Sequence, residues 1–128
     1  MRDLKPNGTK IELGGETHSI LFTLNAIDEI QEKCNMPLAD AMERTVDAYE
    51  GKLDHETLTA FRALLAGLLS AEEDAVEVTP EEAGRLLHIG NYRWIAAEAL
   101  RAYGLTVPDP DENDEEGEEE SPNVQTGR

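Results

Sequence analysis

Polar and apolar residues alternate near the start of the chain, on both sides of two adjacent glycines. The alternation runs through residues 10–13 and resumes in residues 16–23, with Gly14 and Gly15 between the two segments. Paired glycines can take the positive φ values of a tight hairpin turn. A two-residue or a four-residue turn brings the apolar residues of both segments to one face, whereas a three-residue turn requires a bulge. We therefore predict an antiparallel β-hairpin whose apolar face carries Ile11, Leu13, His18, Ile20 and Phe22.

Five segments within residues 23–104 show helical spacing, in which apolar residues recur every three or four positions. Such spacing predicts helices that each bury one face. Gly104 is expected to end the last helix in the left-handed conformation. The third segment, residues 58–69, is the most apolar, so we predict that it forms the central helix. The residues expected to begin the five helices are, in chain order, Thr23 or Asn25, Pro37, Asp54, Thr79 and Asn91.

The connection after the central helix lacks any clear periodicity. Residues 70–78 are expected to form a loop, with the three acidic side chains of residues 72–74 in solvent. The short helix that follows is expected to turn Leu86 and Ile89 toward the core and to stop at Gly90. This order of elements predicts a small α+β domain, in which an N-terminal β-hairpin is followed by about five short helices in a small bundle.

The α+β domain is expected to span residues 9–105, preceded by a flexible N-terminus over residues 1–8. Residues 106–128 contain nine acidic side chains against Arg128 alone, and three prolines and a glycine interrupt the acidic run. Such a segment cannot bury enough apolar area to offset the entropy lost on ordering. We predict that residues 106–128 form a disordered acidic tail.

Charge and composition narrow the classes of partner. The 128 residues include 28 acidic and 11 basic side chains, which gives a formal net charge of −17. This balance argues against binding to nucleic acid or to an anionic membrane through phosphate contacts. No basic and then apolar leader opens the chain, and the apolar run Ala60–Leu69 is too short to span a bilayer, so we expect neither secretion nor membrane insertion. A single cysteine leaves no internal disulfide.

The side chains that could carry chemistry do not form a catalytic motif. His55 and Glu56 begin like the zinc-protease motif, but Thr59 stands where the second histidine is required. Cys34 lies on an apolar stripe without a neighbouring base, so we predict a buried structural thiol. His18 is isolated and is expected to form a polar spot beside the core.

A partial calcium-loop spacing occurs in the acidic tail. Asp109, Asp111 and Asn113 take the first, third and fifth positions of such a loop. Glu120 takes the twelfth, but Asp114 stands where a glycine is required for the sharp turn. We predict no catalytic, cofactor-binding or metal-binding residues, and we expect the protein not to be an enzyme.

Without a catalytic motif, the surface is the favoured place for function. The edges of a two-stranded ribbon carry unpaired backbone groups that can pair with a partner strand or with a second copy of the chain. Apolar residues of the helices can receive apolar side chains, and Trp94 stands out because it falls off the inward stripe of its helix. An alternative for Trp94 is packing under the loop of residues 70–78. The partner-binding residues that we predict are Ile11, Leu13, Leu21, Met42, Tyr49, Tyr92 and Trp94.

Four segments resemble, in their order, the phage tail assembly chaperones, including relatives in gene-transfer-agent clusters. Residues 11–16 read IELGGE and residues 20–27 read ILFTLNAI, which is similar to the family's glycine hairpin and the segment leading into its first helix. Residues 61–68 are similar to its central helix, and residues 79–84 to its threonine-capped helix. The resemblance covers residues 10–104.

The resemblance implies a non-enzymatic assembly factor in the host bacterial cytoplasm. Such proteins bind the tape measure protein, keep it soluble, help to recruit tail tube subunits, and are absent from the mature virion. A net charge of −17 fits this role, because like charges keep a complex soluble.

Two alternatives remain open at this point. Clustered carboxylates can imitate DNA phosphates, so the protein could be an acidic DNA-mimic inhibitor, although bases such as Arg62 and Arg85 are interspersed among the acids. It could also be a minor structural component of the phage tail.

Overall fold

The computed structural model describes residues 8–110, which form a β-hairpin followed by five helices. The hairpin consists of β1 (Thr9–Leu13) and β2 (Glu16–Ile20). This order confirms the predicted α+β class. The helices are α1 (Leu24–Cys34), α2 (Leu38–Tyr49), α3 (His55–Ser70), α4 (Pro80–Leu86) and α5 (Tyr92–Tyr103).

The hairpin turn contains two residues, the shorter of the two turns that the sequence allowed. Gly14 and Gly15 have φ values of 58° and 82°, which glycine adopts without steric cost because it has no Cβ. The antiparallel register sets Leu13 opposite Glu16. The apolar side chains of β1 and the end of β2 are therefore on one buried face, as predicted.

Side chains predicted to cap three of the helices do so. Thr23 accepts a hydrogen bond from the Ala26 amide at the start of α1. At the start of α4, the Thr79 hydroxyl accepts from the Glu82 amide (3.1 Å), and the Glu82 carboxylate accepts from the Thr79 amide (2.9 Å). The Asp54 carboxylate caps α3 by accepting a hydrogen bond from the Thr57 amide (2.8 Å). These bonds satisfy amides that a helix leaves without an internal partner.

The predicted end of α4 is wrong. The helix stops at Leu86 instead of reaching Gly90, and Gly90 does not take the left-handed conformation. Asn91 precedes α5 but makes no side-chain cap for it. The Asn91 side chain instead donates through Nδ2 to the Leu86 carbonyl and accepts through Oδ1 from the backbone amide of His88. It thereby closes the connection between α4 and α5.

The core is built around α3, which packs against α1, α2 and α4 and confirms its predicted central position. Ten of its residues are buried, on all sides of the helix. Gly67 lets α1 approach closely: a methyl group added there would lie 2.8 Å from the Ile30 amide nitrogen. The fifth helix, α5, packs on α2 and β1 and completes the core.

Residues 106–110 pack against the helices. The Tyr49 hydroxyl donates to the Pro108 carbonyl (2.6 Å), and the Arg101 guanidinium donates to the Val107 carbonyl (2.9 Å). Pro110 is buried. Residues 1–7 and 111–128 lie outside the described residues, and the predictions of a flexible N-terminus and a disordered tail stay predictions for them.

Candidate functional site

Two of the residues expected on the surface are in the core. Met42 and Tyr49 have only 5% and 8% of their surface exposed, because α2 packs against both α3 and α5. The prediction that they are exposed on a helix stripe is therefore wrong. The Tyr49 hydroxyl donates to the Pro108 carbonyl.

Ile11 and Leu13 are also buried, on the inner face of the hairpin. Their side chains contribute to the core cluster and are not available to a partner. The backbone edge of β1, by contrast, is flanked by the exposed residues Lys10 and Glu12. A partner at this edge would meet those residues rather than the side chains that we predicted.

Leu21, Tyr92 and Trp94 are half-buried and do not lie together. Leu21 lies in a groove of about 740 Å³ between the hairpin and the end of α3, and the lining of this groove also includes Lys10, Glu72 and Glu73. Tyr92 lines a second groove of about 500 Å³ on another part of the molecule. Trp94 lies on α5 and lines neither groove, and its role stays a prediction.

The second groove, which we call the apolar groove, is the strongest candidate for a binding site. It lies between the first half of α3, the end of α4 with its following loop, and the start of α5. Apolar grooves with a few polar groups are the usual form of binding sites in proteins. The residues that line it are Leu53, His55, Leu58, Phe61, Arg62, Gly84, Leu87, His88, Ile89 and Tyr92.

The apolar groove has a buried floor and an exposed rim. Phe61 forms part of the floor with 1% of its surface exposed, whereas Ile89 and Leu53 on the rim are 77% and 39% exposed. Leu58 and Leu87 are intermediate. A ligand seated here would remove exposed apolar surface from water, which is a favourable change.

Ile89 reaches the surface because α4 ends early. Helical spacing would place it inward, one turn after Leu86, but the chain is extended at Leu87. The loop that follows is fixed by hydrogen bonds: Asn91 bonds to both Leu86 and His88, and the Gly90 amide donates to the His88 ring nitrogen Nδ1 (3.0 Å). The rim is thus formed before any ligand arrives, which reduces the entropy lost on binding.

The charge at the apolar groove differs from that of the whole chain. Among the described residues, its lining includes the basic side chains His55, Arg62 and His88 but no carboxylate. The Arg62 guanidinium donates to the Leu58 carbonyl, which holds it along α3 (3.3 Å). A ligand with an apolar stripe flanked by acidic groups would complement this lining.

The described residues show no arrangement suited to metal binding or to a membrane span. Within residues 8–110, no three His, Cys, Asp or Glu side chains converge on a metal position, and no helix is both long and apolar enough to cross a bilayer. Burial raises the pKa of the Cys34 thiol to about 11, and its sulfur contacts the Ala60 carbonyl oxygen (3.5 Å). The thiol is thus kept neutral at physiological pH.

Several residues of the apolar groove were not predicted from the sequence. Leu53 had a local signal: it precedes the N-cap Asp54, and Leu58 stands at the fourth helical position, which is the spacing of a hydrophobic staple. Leu87 and Ile89 had no signal of exposure, because their spacing continues the helical stripe. Tyr92 is the one predicted site residue that the groove contains.

Comparisons of the chain with protein-family models, with curated proteins and with solved structures found no match.

Proposed function

We propose that this protein is a non-enzymatic phage tail assembly chaperone that holds a helical segment of the tape measure protein in the apolar groove. The proposal rests on the resemblance of residues 10–104 to that family and on one structural observation. That observation is the preformed apolar groove with Ile89 and Leu53 exposed on its rim. In this role the protein acts in the host bacterial cytoplasm, keeps its client soluble, helps to recruit tail tube protein, and leaves before the virion is complete.

The size and lining of the groove suit one face of an amphipathic helix. Such a helix presents apolar residues three or four positions apart, which can fill a groove of about 500 Å³. A tape measure protein is a long helix-rich chain whose apolar stripes associate with one another in water. Covering those stripes with a chain of net charge −17 opposes their association.

The test is co-expression of the protein with the tape measure protein of the same phage, with the soluble client measured after centrifugation. Ile89→Asp is expected to weaken client binding about tenfold or more, because burial of an isoleucine contributes about 1.5–3 kcal/mol. Val76→Asp is the matched control, since Val76 is 81% exposed but does not line the groove. It should leave the client soluble.

Two results would contradict the proposal. One is a client that stays insoluble with the wild-type protein, and the other is an equal loss with both aspartate variants. Mass spectrometry of purified virions separates a chaperone, which should be missing, from a minor structural component, which should be retained. A DNA-mimic inhibitor would instead bind a DNA-binding protein, and this binding would not depend on Ile89.

A further inference from the structure

The two edges of the hairpin differ in what they can bind. In an antiparallel pair, alternate residues direct their N–H and C=O groups toward the partner strand. The two-residue turn makes Leu13 and Glu16 a hydrogen-bonded pair, so Lys10 and Glu12 direct their backbone groups away from β2. On β2, Ser19 likewise directs its backbone groups outward.

Glu72 covers the outer edge of β2. Its carboxylate accepts the outward Ser19 amide (2.7 Å) through one oxygen and the His18 ring nitrogen Nδ1 (2.7 Å) through the other. Hydrogen bonds join the two ends of the loop that carries Glu72. The Ser70 hydroxyl accepts from the Val78 amide (2.8 Å) and donates to the Val78 carbonyl (3.1 Å). A strand could pair with β2 only by displacing this carboxylate.

The edge of β1 has no such cover within residues 8–110. Lys10 and Glu12 are exposed, and no described side chain bonds to their backbone as Glu72 bonds to Ser19. Unpaired backbone groups at the edge of a two-stranded ribbon are a template for a further strand. The open edge is short, so the partner strand must match it closely.

We infer that β1 pairs with β1 of a second copy of this chain, antiparallel and centred on Ile11. In this register Lys10 of each copy stands opposite Glu12 of the other, which places opposite charges across from each other on the exposed face. A shift of the centre to Lys10 or to Glu12 would place like charges opposite each other. The segment Lys-Ile-Glu is therefore complementary to itself under twofold symmetry.

The backbone geometry agrees with the same register. The outward N–H and C=O groups of Lys10 and Glu12 meet those of the second copy in two hydrogen-bonded pairs, while the two Ile11 residues form the non-bonded pair between them. The product is a four-stranded sheet whose inner face is the continuation of one apolar layer. This inference goes beyond the proposed function and does not depend on it, because the apolar groove lies on the helices.

Sedimentation velocity of the full chain over a range of concentrations tests the pairing. The wild type is expected to shift from 14.1 kDa to twice this mass as concentration rises. Glu12→Lys and Lys10→Glu should each raise the dissociation constant about tenfold or more, because each creates like-charge pairs at both contacts. The double variant K10E/E12K restores opposite charges and should restore the dimer.

The direction of each change in affinity separates specific strand pairing from effects of net charge. Glu12→Lys makes the chain less negative, which by itself would favour association, yet it should weaken the dimer. Glu16→Lys changes the charge equally at an exposed position beyond the paired contacts, and it should leave the dimer intact. The Lys10 and Glu12 amides should become protected from hydrogen exchange as the wild-type dimer forms.

Three results would overturn the inference: a monomer at every concentration, a dimer that Glu12→Lys does not weaken, or a double variant that associates as poorly as the single ones. Client solubility is read separately. If a variant is monomeric and still keeps the client soluble, the groove proposal stands. Such a variant contradicts the pairing only if the wild type is a monomer as well.

Discussion

At the scale of single residues, Glu72 restricts which edge of the hairpin can pair with another strand. Its position among three consecutive acids predicted a solvated side chain, but only 19% of that side chain is exposed. The structure brings it to Ser19 and His18, more than fifty positions earlier in the chain. Local sequence carries no signal for such a contact, because it depends on where α3 places its last turn relative to β2.

Cys34 gives a prediction about reactivity. Burial raises the pKa of its thiol from 9.0 to about 11, so the folded protein contains about 100-fold less thiolate at pH 8 than the unfolded chain. We expect a thiol reagent to modify the native protein more slowly than the protein in denaturant, by about tenfold or more, because the loss of thiolate outweighs the higher nucleophilicity that accompanies a raised pKa. Equal rates in the two states would contradict the burial of this thiol.

The same pKa sets the direction of a stability change with pH. Because the folded state has the raised pKa, the neutral thiol favours folding fully below pH 9.0, and this contribution is lost as the pH rises through about 11. The difference in unfolding free energy between wild type and Cys34→Ala should therefore be constant below pH 9.0 and shift against the wild type above it. Chemical denaturation at several pH values measures this difference.

At the scale of elements, the ends of the helices show where local chemistry suffices. Thr23, Asp54 and Thr79 are caps in the sequence and in the structure, because each side chain bonds to an amide only three residues ahead. The end of α4 is different. Its apolar spacing continues to Ile89, but Asn91 bonds back to Leu86 and closes a loop instead.

The packing of α1 on α3 gives a prediction about two helical glycines. A methyl group on Gly67 would lie 2.8 Å and 2.9 Å from backbone atoms of Ile30, so the two helices must separate. We expect Gly67→Ala to lower the free energy of unfolding by about 1–3 kcal/mol, as overpacking of a core does. Urea denaturation followed by circular dichroism measures this loss.

Gly84→Ala is the matched control for Gly67→Ala. Both glycines are helical, but a methyl group on Gly84 would meet the flexible Arg62 side chain, with its Cδ at 2.7 Å. The Arg62 side chain can shift at the cost of its hydrogen bond to the Leu58 carbonyl, whereas the backbone of α1 moves only if two helices separate, so the loss should be smaller than at Gly67. Alanine has the higher helix propensity, so propensity cannot cause a loss at either position, and similar losses at both would contradict a special role for the approach of α1.

At the scale of the whole molecule, the boundary of the folded body lies further along the chain than the composition indicated. The acidic and proline-rich segment was predicted to begin at residue 106. Yet Asp109 accepts from the Arg101 guanidinium (2.8 Å), and Pro108 accepts from Tyr49 across 59 positions of the sequence. These contacts stabilise the junction of α2 and α5.

Two truncations test this boundary. A chain that ends after Pro110 keeps the contacts of Tyr49 and Arg101 with residues 107–109, whereas a chain that ends after Leu105 loses them. We expect the shorter chain to be less stable than the longer one by about 1–3 kcal/mol, because the part-buried Tyr49 hydroxyl and Arg101 guanidinium lose these acceptors. Equal melting temperatures for the two chains would contradict a structural role for residues 106–110.

The sequence alone determined the class of fold and the order of its elements. Paired glycines, capping side chains and apolar spacing act over at most a few residues, so they can be read without knowing what lies next to them in space. They specified the hairpin, five helices and the central place of α3. They also indicated Tyr92 as a surface residue, and it lines the apolar groove.

Only the tertiary structure decided which apolar and acidic residues remain available to a partner. Met42 and Ile89 both have helical spacing, yet one is buried by α5 and α3 and the other stands 77% exposed on the rim of the apolar groove. Likewise, no pattern in the sequence indicated that Glu72 covers the β2 edge of the hairpin. Exposure depends on how distant elements cover one another, and the pattern along a single segment does not determine which elements cover it.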